Sequence, residues 1–121
     1  MSERPLVTAH VATKQAAYHA EVVGEVASAI AENDVVVVGM AVNPHVKRAR
    51  QALDDAKVAY TYLGYGGYHS MWKERLAIKI WAGWPTFPQI YVKGRLIGGA
   101  NETVHMLETG ELADLLDAPR P

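Results

Sequence analysis

The residues placed to do chemistry lie in the stretch Val35-Val-Val-Val-Gly-Met-Ala-Val-Asn-Pro-His-Val-Lys-Arg-Ala-Arg50. Four β-branched residues in a row predict a strand buried on both faces. Asn43-Pro44 predicts a helix start: a favoured N-cap residue, then proline at the first helical position, where its missing N–H costs nothing. A helix N-terminus stabilises negative charge, so a thiolate or other anion would be at home in this turn. No thiol is present to exploit it. Asn43-Pro44-His45-Val46 contains none, and the 121-residue chain has no cysteine at all. Thiol–disulfide exchange needs a thiolate as attacking atom. Disulfides, iron–sulfur ligation by the chain's own thiolates and sulfur-based zinc sites are excluded with it. His45, on the first turn, is a candidate ligand or general base. However, His10, His19, His45, His69 and His105 show no metal-binding spacing, and no metal site is expected.

The elements that must position this turn can be read from periodicity. Residues 1–12 read as a flexible leader and residues 13–121 as one domain. Ala16, His19 or Ala20, Val23, Ala27 and Ile30 recur at helical spacing, predicting a long helix over 13–32, capped by Thr13 or Thr8 and ended by Asn33-Asp34. A strand at 35–38 and a helix from Asn43 to about 56 follow, the latter with Val46, Ala49, Ala52 and Leu53 inward. Next come a strand at 58–63, a mobile loop Gly64-Tyr-Gly-Gly-Tyr68 and a helix from 69 or 70 to 81. Residues 89–92 and 96–97 form a hairpin across Lys93-Gly94, and helical segments over 102–116 break near Thr109-Gly110. Strands alternating with helices, closed by a hairpin, give an α/β fold: a four-stranded mixed sheet with helices on both faces.

Composition sets broad bounds. With 50% hydrophobic and 21% charged residues, the chain is ordinary for a globular domain. A net charge of −1 argues against nucleic-acid binding driven by phosphate neutralisation. No apolar run approaches the ~20 residues that span a bilayer. Met-Ser-Glu-Arg-Pro-Leu lacks a charged-then-apolar signal pattern, so a cytoplasmic location is the expectation. Lys47, Arg48 and Arg50, with Lys73, Arg75 and Lys79, are candidates for a basic rim, although a solvated helix face is the commoner explanation. The glycine-rich 64–68 loop matches neither phosphate-binding glycine pattern.

Trp84-Pro-Thr-Phe-Pro-Gln-Ile-Tyr-Val-Lys-Gly-Arg-Leu-Ile-Gly-Gly99 resembles the monothiol glutaredoxin signature, and Gly110-Glu-Leu-Ala-Asp-Leu-Leu116 resembles that family's C-terminal helix. The similarity runs over roughly residues 20–117 and implies a thioredoxin-like fold of the glutaredoxin branch. Asn43 and Val46 occupy the family's two cysteine positions, which leaves no catalytic residue. The resemblance implies a cis bond before Pro88 and a backbone at Phe87, after Thr86, that pairs with the cysteinyl part of glutathione. It implies that Gly99, Ala100 and Asn101 face the γ-glutamyl carboxylate at a helix N-terminus, with Asn101 as a helix cap. Lys79 matches a basic residue for the glycine carboxylate, whereas Met40 replaces a second lysine. The ligand-binding candidates are therefore Asn43, His45, Lys79, Thr86, Phe87, Pro88, Gly99, Ala100 and Asn101.

Three functions are consistent with these residues. The first is a cysteine-free binding or adaptor domain that takes glutathione, an extended peptide or a protein partner in the Pro88 groove. The second is an enzyme in which bound glutathione supplies the thiol, aided by the helix dipole near Asn43. The third is a structural subunit, as in a homodimer through the first helix. An iron–sulfur carrier role, common among proteins of this type, is disfavoured because the bridging thiolate is missing. Glutathione is the only cofactor suggested.

Overall fold

The computed structural model describes residues 6–17 and 19–121. Strand β1 (Val35–Gly39) is buried along its whole length. Alternate side chains leave a strand on opposite faces, so an all-valine strand must be covered twice. Val36 and Val38 enter a core with Val26, Ile78, Phe87 and Tyr91. Val35 and Val37 enter a second core with Ala49, Leu53, Ile90 and Leu112.

The elements that provide this cover run in order: α1 (Ala9–Ala17), α2 (Ala20–Glu32), β1, α3 (Pro44–Asp55), β2 (Thr61–Gly64), α4 (Trp72–Ala82), β3 (Gln89–Val92), β4 (Arg95–Gly98), α5 (Ala100–Thr109) and α6 (Glu111–Asp117). The sheet order is β2-β1-β3-β4. β1 and β2 are parallel, with Val36 opposite Thr61. β3 runs antiparallel to β1, with Val36 opposite Tyr91, and β4 antiparallel to β3. Helices α2 and α4 pack on one face, α3, α5 and α6 on the other. This is the four-stranded mixed sheet expected from the sequence. Lys93 and Gly94 both have positive φ (50° and 81°), as a two-residue hairpin turn requires.

Several boundaries differ from expectation, each for a local reason. The helix expected over 13–32 is two helices, because His19 takes a left-handed conformation (φ 45°) and interrupts the ladder. Thr8 caps the first of them, its Oγ1 accepting from the Val11 N–H at 3.3 Å. Residues 1–5 of the expected leader, and the Ala16 side chain counted into the helix face, lie outside the described residues. The buried centre of α2 is Val26, flanked by Val22, Ala29 and Ile30. Strand β2 begins only at Thr61, since Lys57 (φ 59°) and a Val58 N–H bonded to the Leu53 carbonyl still close off α3. Helix α4 starts at Trp72 because Met71 is left-handed (φ 56°).

The 64–68 loop is anchored, contrary to the mobile loop expected. Tyr65 is buried, and its hydroxyl donates to Glu25 Oε1 at 2.8 Å. Burial first, then that bond, pushes the Tyr65 phenol well above its ordinary range. The buried Arg75 guanidinium donates from Nη1 to the carbonyls of Tyr65 and Ser70. The loop in turn holds the far side of the β1 exit: the Ala41 N–H donates to the Gly66 carbonyl at 2.7 Å. Replacing Arg75 by methionine strands two loop carbonyls. The expected result is a loss of about 1–3 kcal/mol in urea unfolding, with faster amide exchange concentrated at Ala41 and residues 65–70.

Candidate functional site

The site is assembled where β1 ends and three segments converge. Val42 turns the chain in the left-handed region (φ 58°), an unusual place for a β-branched residue. Asn43 then caps α3. Its Oδ1 accepts from the His45 N–H at 2.9 Å and the Val46 N–H at 3.1 Å. Two of the amides that leave a helix N-terminus open to an anion are thus held by the chain's own carboxamide.

Beside this turn, the Phe87-Pro88 peptide is cis. A cavity of about 190 Å³ lies between it and the start of α5, lined by His45, Arg48, Trp84, Thr86, Phe87, Pro88, Gly99, Ala100, Asn101 and Glu102. Gly98 has φ 120°, and a Cβ there would stand 2.7 Å from Glu102 Cγ. Only glycine fits that position. At Gly99, the N-cap of the next helix, a Cβ would stand 3.3 Å from the Pro88 carbonyl oxygen, a tight contact that a shift of a few tenths of an ångström would have to relieve.

Of the sequence-predicted site residues, His45, Thr86, Phe87, Pro88, Gly99, Ala100 and Asn101 meet in this cavity. Asn43 lines a different cleft on the other side of α3. Lys79 lines neither; its Nζ stands 5.5 Å from the Phe87 ring centroid, on the α4 side of the proline segment. Asn101 is not the cap of α5. The helix begins two residues earlier, with Gly99 as N-cap, and the Gly99 N–H donates to Glu102 Oε1 at 2.8 Å. The Asn101 Oδ1 instead accepts from Arg48 Nη2.

Arg48, Trp84 and Glu102 complete the cavity; Arg48 was expected only as part of a basic rim and Trp84 only as core or wall, and Glu102 was not singled out by the sequence. Arg48 reaches the groove through a contact 53 residues away in the chain, which no local pattern announces. The expected basic rim is dispersed: Lys47 and Arg50 line the other cleft, Lys73 lies over Trp72, and Arg75 is buried. Trp84 Nε1 is a buried donor with no hydrogen-bond partner among the described residues, adjoining Gly99. The Trp84 carbonyl accepts from Gln89 Nε2 at 3.2 Å, and Gln89 Oε1 accepts from the Tyr91 hydroxyl at 2.9 Å. Gln89 is fully buried, so this relay ties the groove wall to the sheet. Among the described residues, no group of three His, Asp or Glu side chains gathers as a metal site, and no helix is long and apolar enough to cross a membrane.

A β-α-β-α-β-β-α arrangement with a cis-proline segment facing a helix N-terminus defines the thioredoxin-like class. Oxidized glutaredoxin 2 from Chlamydomonas reinhardtii superposes with a TM-score of 0.70 at 25% identity, over 81% of this chain and 92% of that one. Reduced glutaredoxin C1 from Populus tremula x tremuloides superposes at 0.74 with 20% identity, over 86% and 89%. The buckwheat glutaredoxin–glutathione complex superposes at 0.69 with 18% identity, over 81% and 89%. The glutaredoxin family model matches residues 35–97. A glutaredoxin-like protein of Dictyostelium discoideum is 50% identical over 95 residues, 78% of this chain and 77% of that protein. Glutaredoxin 4 of Haemophilus influenzae is 39% identical over 69 residues, 57% of this chain and 62% of that protein. The chain belongs to the glutaredoxin family, and it does so without a cysteine.

Two outcomes test this geometry. Asn43→Ala removes the α3 cap and is expected to cost about 0.5–2 kcal/mol in urea unfolding, whereas Asn43→Asp retains most of it. Burial also raises the Tyr91 phenol from 10.0 to about 12. The fold favours the neutral phenol, so this contribution is complete below pH 10.0 and is lost as pH rises through about 12. Denaturation midpoints measured across that alkaline window should fall less steeply for Tyr91→Phe than for the native chain.

Proposed function

We propose that this protein is a binding domain without thiol–disulfide exchange of its own, and that its cis-proline groove holds glutathione or a similar extended γ-glutamyl or peptide ligand. The observation that carries the proposal is the Asn43 carboxamide bonded to the His45 and Val46 amides. At the position where the resemblance implies a reactive sulfur, the chain has a filled helix cap, while the neighbouring groove stays intact. An extended ligand is suited by the backbone at Phe87 and by the close-set Gly99. An anionic end is suited by the first-turn amides of α5 and by Arg48. The other carboxylate has Lys79, over the Phe87 ring. The neighbouring fold solved with glutathione supports the same ligand class.

The alternative, catalysis by the thiol of bound glutathione, gains little from this arrangement. The two amides that would stabilise its thiolate are occupied by Asn43 Oδ1. A cytoplasmic role as an adaptor between partners remains part of the proposal.

Calorimetric titration with glutathione is expected to give saturable heat that falls roughly tenfold in Lys79→Ala, as for loss of a charge-assisted hydrogen bond. The native protein should leave a standard glutathione mixed disulfide at its buffer rate. Asn43→Cys should gain a thiol that alkylates below the ordinary cysteine pH range, because the freed amides then face a thiolate. Absence of binding by the native protein, or brisk disulfide reduction by it, would overturn the assignment.

A further inference from the structure

The described structure has a second cleft, roomier than the cis-proline groove. It lies on the other side of α3, over the outer strand β2, with a volume of about 540 Å³. Its floor carries Met40 and Val46, and its walls carry Lys47, Arg50, Tyr60 and Tyr62. Lys47 and Arg50 are three apart on α3 and so share a helix face.

Arg50 is fixed in an unusual way for a half-buried arginine. Its guanidinium carbon stands 3.9 Å from the Tyr62 ring centroid, and its Nε donates to the Tyr60 hydroxyl at 3.1 Å. One ring holds the plane of the fork, and one hydroxyl fixes its rotation. No carboxylate pairs with Arg50 among the described residues, where the ion pairs are those of Asp34 with Lys93 and Arg120. Asp54, four residues further along α3, lines the same cleft; its charge acts on the guanidinium from beyond ion-pair distance. Among the described residues the two Nη groups have no hydrogen-bond acceptor, although the orientation needed to meet one is already set. A planar fork of this kind fits carboxylate or phosphate oxygens, and a nearby ammonium adds charge. The apolar floor beside it suits an uncharged body attached to that anion.

We propose that this cleft is a second, small-molecule site, which takes an oxyanion on an apolar or aromatic body through Arg50 and Lys47. It shares no residue with the cis-proline groove and stands whether or not that groove binds glutathione. The chemistry is common to a carboxylate and a phosphate monoester, and the two are separated by probe.

The test is an NMR titration of the isotope-labelled protein with benzoate and, separately, phenyl phosphate in low-salt, phosphate-free buffer. At least one probe is expected to give saturable shifts in α3 and at residues 60–62 that weaken with added salt. The tighter probe names the anion. Arg50→Gln should weaken binding roughly tenfold or more, as for loss of a charge-assisted hydrogen-bonded pair, with Arg50→Lys between the two. Lys47→Gln, on the exposed helix surface, provides a second variant if Arg50→Gln does not fold. Shifts confined to the Phe87–Asn101 region, equal affinity in the variants, or no saturation with either probe would overturn the proposal.

Discussion

Strand β1 has no face to give to solvent, and the rest of the architecture answers that constraint. Four consecutive valines bury branched side chains upward and downward in alternation, each burial favouring the fold by about 1.5–3 kcal/mol relative to exposure. Helices must therefore lie on both sides of the sheet. The chain can place them there only by crossing over between parallel strands, which puts α3 against one side and fixes where its N-terminus emerges. Gly39, the last residue of β1, sits where a Cβ would meet Val46 Cγ1 at 2.8 Å. The tightness of that junction sets α3 directly above the strand end. The functional surface is a by-product of a packing solution.

The family retains its scaffold here while one functional group, the cysteine thiol, is missing. In a glutaredoxin-like turn the helix N-terminus is an electrostatic resource: open amides and a positive dipole end that stabilise negative charge. In this chain the same amides are spent internally on Asn43 Oδ1. That exchange caps α3 and leaves the His45 and Val46 amides bonded within the chain. The groove next to it depends on different groups, namely the backbone around Pro88, the start of α5 and Arg48, so its shape does not require the sulfur.

Much of this was legible from local chemistry. The Val35–Val38 run, the Asn43-Pro44 cap and the Lys93-Gly94 turn each contain their own instruction, since the residue types nearly dictate the backbone. What was not legible depended on tertiary partners. Nothing in the sequence around His19 or Met71 marks a left-handed residue, because neither is a glycine or an asparagine. Tyr65 looked like part of a loose glycine-rich loop, yet a bond to Glu25 across 40 residues makes it a core side chain. The basic residues of α3 read as one rim, but helical geometry sends Arg48 to one side and Lys47 and Arg50 to the other. Two extra residues at the start of α5 displaced Asn101 from the cap it was expected to provide.

Glu102 gives the groove a property of its own. Its carboxylate rests on the Gly99 N–H at the entrance of α5, the end of the helix that attracts negative charge. The doorway thus carries a resident acid as a tethered stand-in for any visitor of like sign. A guest bearing its own carboxylate must either use the amides that follow Gly99, beside this occupant, or swing it aside. A guest that presents a neutral acceptor escapes the like-charge repulsion, although the same amide is taken for it as well.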